Sequence, residues 1–213
     1  VIMTLLDLLM VSAEESAKLV KKDPKNAKEH QESFITLCDS LLKTKTDDYT
    51  LQFHIGEIYS RIDRKDEGLD LMIEAAEKGP ATAVWFNNIG DIFMEKKEYA
   101  EAINYFSKAT EKEPNNYLHF GNLASTLVKV GWLKDAKEQL EKAELLVPND
   151  SEIKLGIGYL SHQLGNRSEA MKHYREALLI DPRNPTTRNN LAIALDMEGD
   201  YKEAINHIKK AIK

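Results

Sequence analysis

The chain has 213 residues, 42% of them apolar and 30% charged, with a mean hydropathy of −0.46. That apolar content is enough for a packed core and too high for a disordered chain. A net charge of −6 without any basic run argues against sequence-independent nucleic-acid binding and against attachment to an anionic lipid surface.

The first 48 residues are predicted to be helical and to form an N-terminal cap or a degenerate repeat. Ile2, Leu5, Leu6, Leu9, Met10, Ala13, Ala17 and Val20 mark one helical stripe, and Phe34, Leu37, Cys38, Leu41 and Leu42 mark a second. The opening VIMTLLDLLMV run carries Asp7 and lacks both a basic flank and a small-residue cleavage site, so it reads as an amphipathic helix and not a signal peptide. No stretch approaches the roughly 18 uninterrupted apolar residues of a membrane span, and no membrane insertion is expected. Cys38 is the one cysteine, which rules out an intrachain disulfide and fits a reducing, cytoplasmic location. The sequence opens on Val1, with Met3 its first methionine.

From residue 49 onward the chain repeats. Pro80, Pro114, Pro148 and Pro182 lie 34 residues apart. They set a frame of five repeats: 49–82, 83–116, 117–150, 151–184 and a shortened 185–213. Residues that did not define the frame obey it. The eighth place holds Gly56, Gly90, Ala124, Gly158 and Ala192. The twentieth holds Gly68, Ala102, Ala136, Ala170 and Ala204. The twenty-seventh holds Ala75, Ala109, Ala143, Ala177 and Ala211. Small side chains at these spacings let two antiparallel helices approach closely, with larger apolar groups filling the gaps around them. Those larger groups recur too: Ile55, Ile89, Leu123, Ile157 and Leu191 at the seventh place, and Met72, Phe106, Leu140, Tyr174 and Ile208 at the twenty-fourth. Gly131, Gly165 and Gly199 fall in the turns between predicted helices.

These columns resemble the tetratricopeptide repeat, whose period is about 34 residues. GDIFMEKKEYAEAINYFSKATEKEPNN, from Gly90 to Asn116, and GDYKEAINHIKKAIK, from Gly199 to Lys213, match the pattern best. The resemblance implies an all-α, right-handed superhelix of about twelve helices in stacked antiparallel pairs. It departs from the family at its early aromatic: the fourth place reads Gln52, Phe86, Phe120, Lys154 and Arg188, while Trp85 stands one place early.

The resemblance also implies a function. Family members bind proteins or peptides on the inner face of each first helix, at the second, fifth, sixth, ninth, twelfth and thirteenth places. Here that face carries Phe53, Glu57, Asn87, Asn88, Asp91, Asn122, Ser125, Tyr159, Asn189 and Asn190, together with His54, Gly156 and Ile193. The cations with which some members grip a chaperone's carboxylate tail are missing, whereas acidic Glu57, Asp91, Glu95, Glu152 and Asp196 outnumber basic Arg61 and Lys129. Asn88, Asn122 and Asn190 share the sixth place, and a similar asparagine ladder lines the groove of the O-linked N-acetylglucosamine transferases. A carboxamide offers a donor and an acceptor and so matches the backbone of an extended peptide.

Chemistry finds little purchase in the sequence. None of the six histidines pairs with another His or with Cys at metal-ligand spacing. Cys38 has the spacing of a buried helix-face residue. Gly156-Ile157-Gly158 lies in a predicted helix and not between strand and helix, so it makes no dinucleotide loop. No enzyme activity, cofactor or metal is expected. The predicted role is a scaffold that binds a peptide or partner protein; the alternatives are a targeting module of a larger enzyme and a self-assembling scaffold. The last repeat stops without a cap, so a continuation of the chain or a second copy is expected to cover its final helix.

Overall fold

A computed structural model describes residues 24–44, 46–62 and 64–211. The predicted stripe from Ile2 to Val20, and Ile212, lie outside these. Among the described residues there are eleven helices: α1 (Pro24–Thr44), α2 (Tyr49–Ser60), α3 (Lys65–Lys78), α4 (Ala83–Lys96), α5 (Tyr99–Lys112), α6 (Tyr117–Lys129), α7 (Leu133–Leu146), α8 (Ser151–Gln163), α9 (Arg167–Ile180), α10 (Pro185–Met197) and α11 (Tyr201–Ala211). The chain is all-α, and its helices pack in consecutive pairs. None of these helices is long and apolar enough to cross a membrane.

Local chemistry explains the punctuation. The first helices of the five pairs begin at Tyr49, Ala83, Tyr117, Ser151 and Pro185. The residue before each is a capping type. Asp48, Asn116, Asp150 and Asn184 accept a hydrogen bond from a first-turn N–H, and Thr82 Oγ1 accepts one from Trp85 N at 3.3 Å. Inside three pairs the turn passes through a left-handed glycine: Gly131 (φ 81), Gly165 (φ 86) and Gly199 (φ 84). Lys97 occupies the same place with φ 61, although it carries a side chain.

The chain forms two compact parts, with the division at Ile92 and Phe93, inside α4. In the first part, α1 supplies Phe34 and Cys38 to a core completed by Leu51, Ile55, Ile58 and Tyr59. Burial, reinforced by the Asp39 charge, pushes the Cys38 thiol up to about 11, so it stays protonated and inert. Tyr59 donates to Asp39 Oδ1 at 2.6 Å, and Arg64 lies over the Tyr59 ring, 4.1 Å from its centroid. The backbones of α2 and α3 come so close that a Cβ on Gly68 would stand 2.5 Å from the Gly56 carbonyl oxygen.

In the second part the most extensive contacts are within the pairs α6–α7, α8–α9 and α10–α11, followed by those between successive pairs. One cluster joins Phe120, Ala143, Ile153 and Ile157; another joins Ala170, Tyr174, Leu191, Ala192, Ala194, Leu195 and Ala204. Across both parts the small-residue columns are buried at every place except Ala211, which is half-buried.

Candidate functional site

The first helix of each pair has one face packed and one open, and the repeat determines which is which. The third, seventh and eighth places are buried in all five repeats: Leu51, Ile55 and Gly56 in the first, for example, and Thr187, Leu191 and Ala192 in the last. The second, ninth and thirteenth places point the other way. In the second part of the chain they carry Leu118, Ser125 and Lys129 on α6, Glu152, Tyr159 and Gln163 on α8, and Thr186, Ile193 and Met197 on α10, all exposed. Helical geometry produces this division, because residues three and four apart share a face.

Of the residues singled out from the sequence, Ser125, Tyr159 and Asn189 are exposed, and Asn122 and Asn190 are half-buried on the same face. This surface is more apolar than the acidic tally implied: Tyr159 is 44% exposed, Ile193 45%, Met197 51% and Leu118 56%. Gly121 faces open space, with nothing within 4 Å of where its Cβ would be.

In the first part of the chain the corresponding face is polar and already organised. Glu57 meets His54 Nδ1 at 2.7 Å through one carboxylate oxygen and accepts from Asn88 Nδ2 at 2.6 Å through the other. Burial works to raise the Glu57 pKa, but the bonds from His54 and Asn88 outweigh it and hold the carboxyl below its usual range. Asn87 donates to Asp91 at 3.0 Å. Asn88 is therefore held by an adjacent helix. Phe53 departs from expectation: it is fully buried and stacks on Trp85, ring centroids 4.2 Å apart and 5° from parallel. Trp85, standing one place early, occupies the buried third column and roofs Phe53, which takes Phe53 off the open face.

The fourth place, where three of the five repeats lack an aromatic, holds a feature that the sequence reading left unassigned. Lys154 on α8 donates to Glu144 Oε1 of α7 at 2.8 Å and to Glu176 Oε2 of α9 at 3.0 Å. Burial alone would lower the Lys154 pKa, but the two carboxylates hold its ammonium above the usual lysine range. Gln52 does the equivalent in its own repeat, donating to Glu74 at 3.1 Å. The partners, Glu74 and Glu176, both stand at the twenty-sixth place.

Capped helix pairs at a 34-residue period, packed through small-residue columns with one face left open, define a helical-repeat protein. Tetratricopeptide-repeat models match residues 55–117 and 162–213, and a model described as the TT21 fifth ARM repeats domain matches residues 87–179. The chain is a tetratricopeptide-repeat protein. Similar solved structures include YrrB, described as a TPR protein with an unusual peptide-binding site, at 22% identity and TM-score 0.70, covering 82% of this chain and 90% of that one. MamA is similar at 18% identity and TM-score 0.70, covering 77% of this chain and 90% of that one. MamA 41-end from Desulfovibrio magneticus RS-1 is 20% identical with TM-score 0.69, covering 78% and 94%. Identities this low speak to the fold alone. No curated protein sequence matches significantly.

Proposed function

We propose that this chain is a protein-interaction scaffold that holds an extended peptide, or an exposed segment of a partner protein, on the open faces of its first helices. The observation behind this is the repeating division of those helices: the third, seventh and eighth places are buried throughout, while the second, ninth and thirteenth are exposed along α6, α8 and α10. An exposed row of Tyr159, Ile193 and Met197 supplies apolar contact, and Asn122 and Asn190 supply carboxamides for a peptide backbone. Peptide binding by YrrB, as its description states, is consistent with this use of the fold. The role needs no catalytic group or cofactor, and a buried, protonated Cys38 suits a cytoplasmic setting.

The test is a peptide-display selection on the whole chain, followed by fluorescence anisotropy with the selected peptides. Replacing Asn122 and Asn190 together with Ala should weaken binding by about 1–3 kcal/mol, or roughly 5- to 150-fold, without loss of helicity. Leu145→Asp, at the exposed end of α7, should leave affinity unchanged. The reverse pattern would remove the assignment of the site to the first helices.

A second reading is self-association through α11, where Tyr201, Ile205 and Ile208 are 62%, 52% and 44% exposed. Sedimentation velocity across a hundredfold concentration range tests it, and a constant monomer would eliminate it.

A further inference from the structure

The charged cluster around Lys154 has a member whose ring nitrogen makes no hydrogen bond. His173, on α9, is 8% exposed, and its Nδ1 is buried without a hydrogen-bond partner. That nitrogen lies 3.7 Å from Glu144 Oε1 and 3.8 Å from Glu176 Oε2, the same two oxygens that receive the Lys154 ammonium. A buried ring nitrogen aimed at two carboxylates, with a cation already between them, is the arrangement of a cation site.

We propose that Glu144, His173 and Glu176 bind a divalent transition metal of the zinc class, and that Lys154 is an internal counterion which the metal displaces. The three ligand atoms all lie within 4.8 Å of one another. Zinc bonds to nitrogen and carboxylate oxygen are about 2.0–2.2 Å, which places tetrahedral ligand atoms about 3.4 Å apart. The imidazole therefore has only a few tenths of an ångström to travel toward each oxygen. One imidazole and two carboxylates suit zinc or a similar metal better than calcium, which takes six to eight oxygens.

The charges agree. Two carboxylates against one ammonium leave a net negative charge, which a divalent ion fills more fully. Lys172 adds only a long contact of 3.9 Å to the other Glu176 oxygen. Displaced, the Lys154 side chain has a four-carbon stem on which to swing its ammonium toward water. The metal would join α7 to α9, elements of successive repeats, and leave a fourth position for water or for a ligand from a partner.

The test is calorimetric titration of the whole chain with zinc chloride. The native chain should show one saturable equivalent. His173→Ala should weaken it at least tenfold, and Glu176→Gln should do the same if the histidine variant fails to fold as judged by circular dichroism. Lys154→Met should tighten binding severalfold, because no ammonium then competes. Lack of saturable binding by the native chain, binding that survives both His173→Ala and Glu176→Gln, or weaker binding by Lys154→Met would each overturn the proposal.

Discussion

Glycine-to-alanine substitution separates two roles that this fold gives to one residue type. In a helix interior the change is favourable by about 1 kcal/mol, from backbone entropy alone. At Gly121 nothing opposes it, because the new Cβ meets no atom within 4 Å. Gly121→Ala should therefore stabilise the protein by about 0.5–1 kcal/mol. At Gly68 the same Cβ would lie 2.5 Å from the Gly56 carbonyl oxygen, 2.5 Å from Ser60 N and 3.0 Å from Tyr59 C. All three are backbone atoms, so no rotamer change relieves the contact and α2 must move away from α3. Atoms at van der Waals distance need roughly 3.5 Å, so the shift approaches 1 Å, and a gap of that size forfeits a quarter to a half of each neighbouring contact. Met72, 1% exposed, lines that seam, its Cγ 2.7 Å from where a Cβ on Gly56 would stand. Overpacking of this kind costs about 1–3 kcal/mol or more and outweighs the propensity gain, leaving Gly68→Ala destabilised by about 1–2 kcal/mol. Gly156 falls between: its Cβ would meet Leu140 Cδ1 at 2.7 Å, the movable end of a side chain, so Gly156→Ala should be nearly neutral. Urea unfolding followed by circular dichroism reads all three. Equal stability of the Gly68 and Gly121 variants would refute the close approach of α2 and α3.

Lys97→Gly should stabilise the chain by about 0.5–1 kcal/mol, since it relieves a left-handed residue at φ 61; a thermal melt no higher than the native one would count against strain at that turn. Ala102→Leu, at a fully buried twentieth place, should destabilise by about 1–3 kcal/mol in the same urea assay. Glu57 makes a pH prediction. Its folded carboxyl lies below the ordinary 4.5, so its contribution is fully present above that value and is lost as pH falls through the folded pKa. Glu57→Gln should therefore flatten the loss of stability below about pH 4.5; an unchanged acid limb would show that the His54 and Asn88 bonds contribute nothing in solution.

How far the fold was legible depended on which physical quantity each residue reports. Side-chain size at the eighth, twentieth and twenty-seventh places limits how near two backbones can come, so Gly and Ala there announced helix contacts that the structure shows, from Gly56 against Gly68 to Gly158 beside Tyr174. Orientation was less legible. Phe53 sits at a place that the family leaves open, but Trp85 stacks on it, and only knowledge of two helices at once reveals that. Asn88, Asn122 and Asn190 look equivalent in sequence, and nothing there announces that Asn88 is engaged by Glu57, whose own helix belongs to the preceding repeat. Recurrence at one place measures what a fold tolerates there, and the neighbour across the seam decides how the side chain is used.

The fourth place shows what signal was present and unread. Phe86 and Phe120 stand in repeats whose twenty-sixth residues are Lys108 and Lys142, whereas Gln52 and Lys154 stand in repeats whose twenty-sixth residues are Glu74 and Glu176. In those two repeats the fourth-place donor bonds the twenty-sixth-place carboxylate, as the Gln52–Glu74 and Lys154–Glu176 bonds record; in the last repeat Arg188 stands with Lys210 and donates instead to the Pro182 carbonyl. Lys154 then recruits Glu144 from the repeat before, and Lys137 on α7 reaches Glu169 on α9, so this junction carries charge, as the Arg175–Glu203 pair does between α9 and α11. Apolar contacts are indifferent to ions and to proton concentration, but charged ones are not. The junction of α7 with α9, where a lysine stands in place of an aromatic ring, should therefore respond to its ionic surroundings, as the Glu57 cluster should to acid in the first part of the chain.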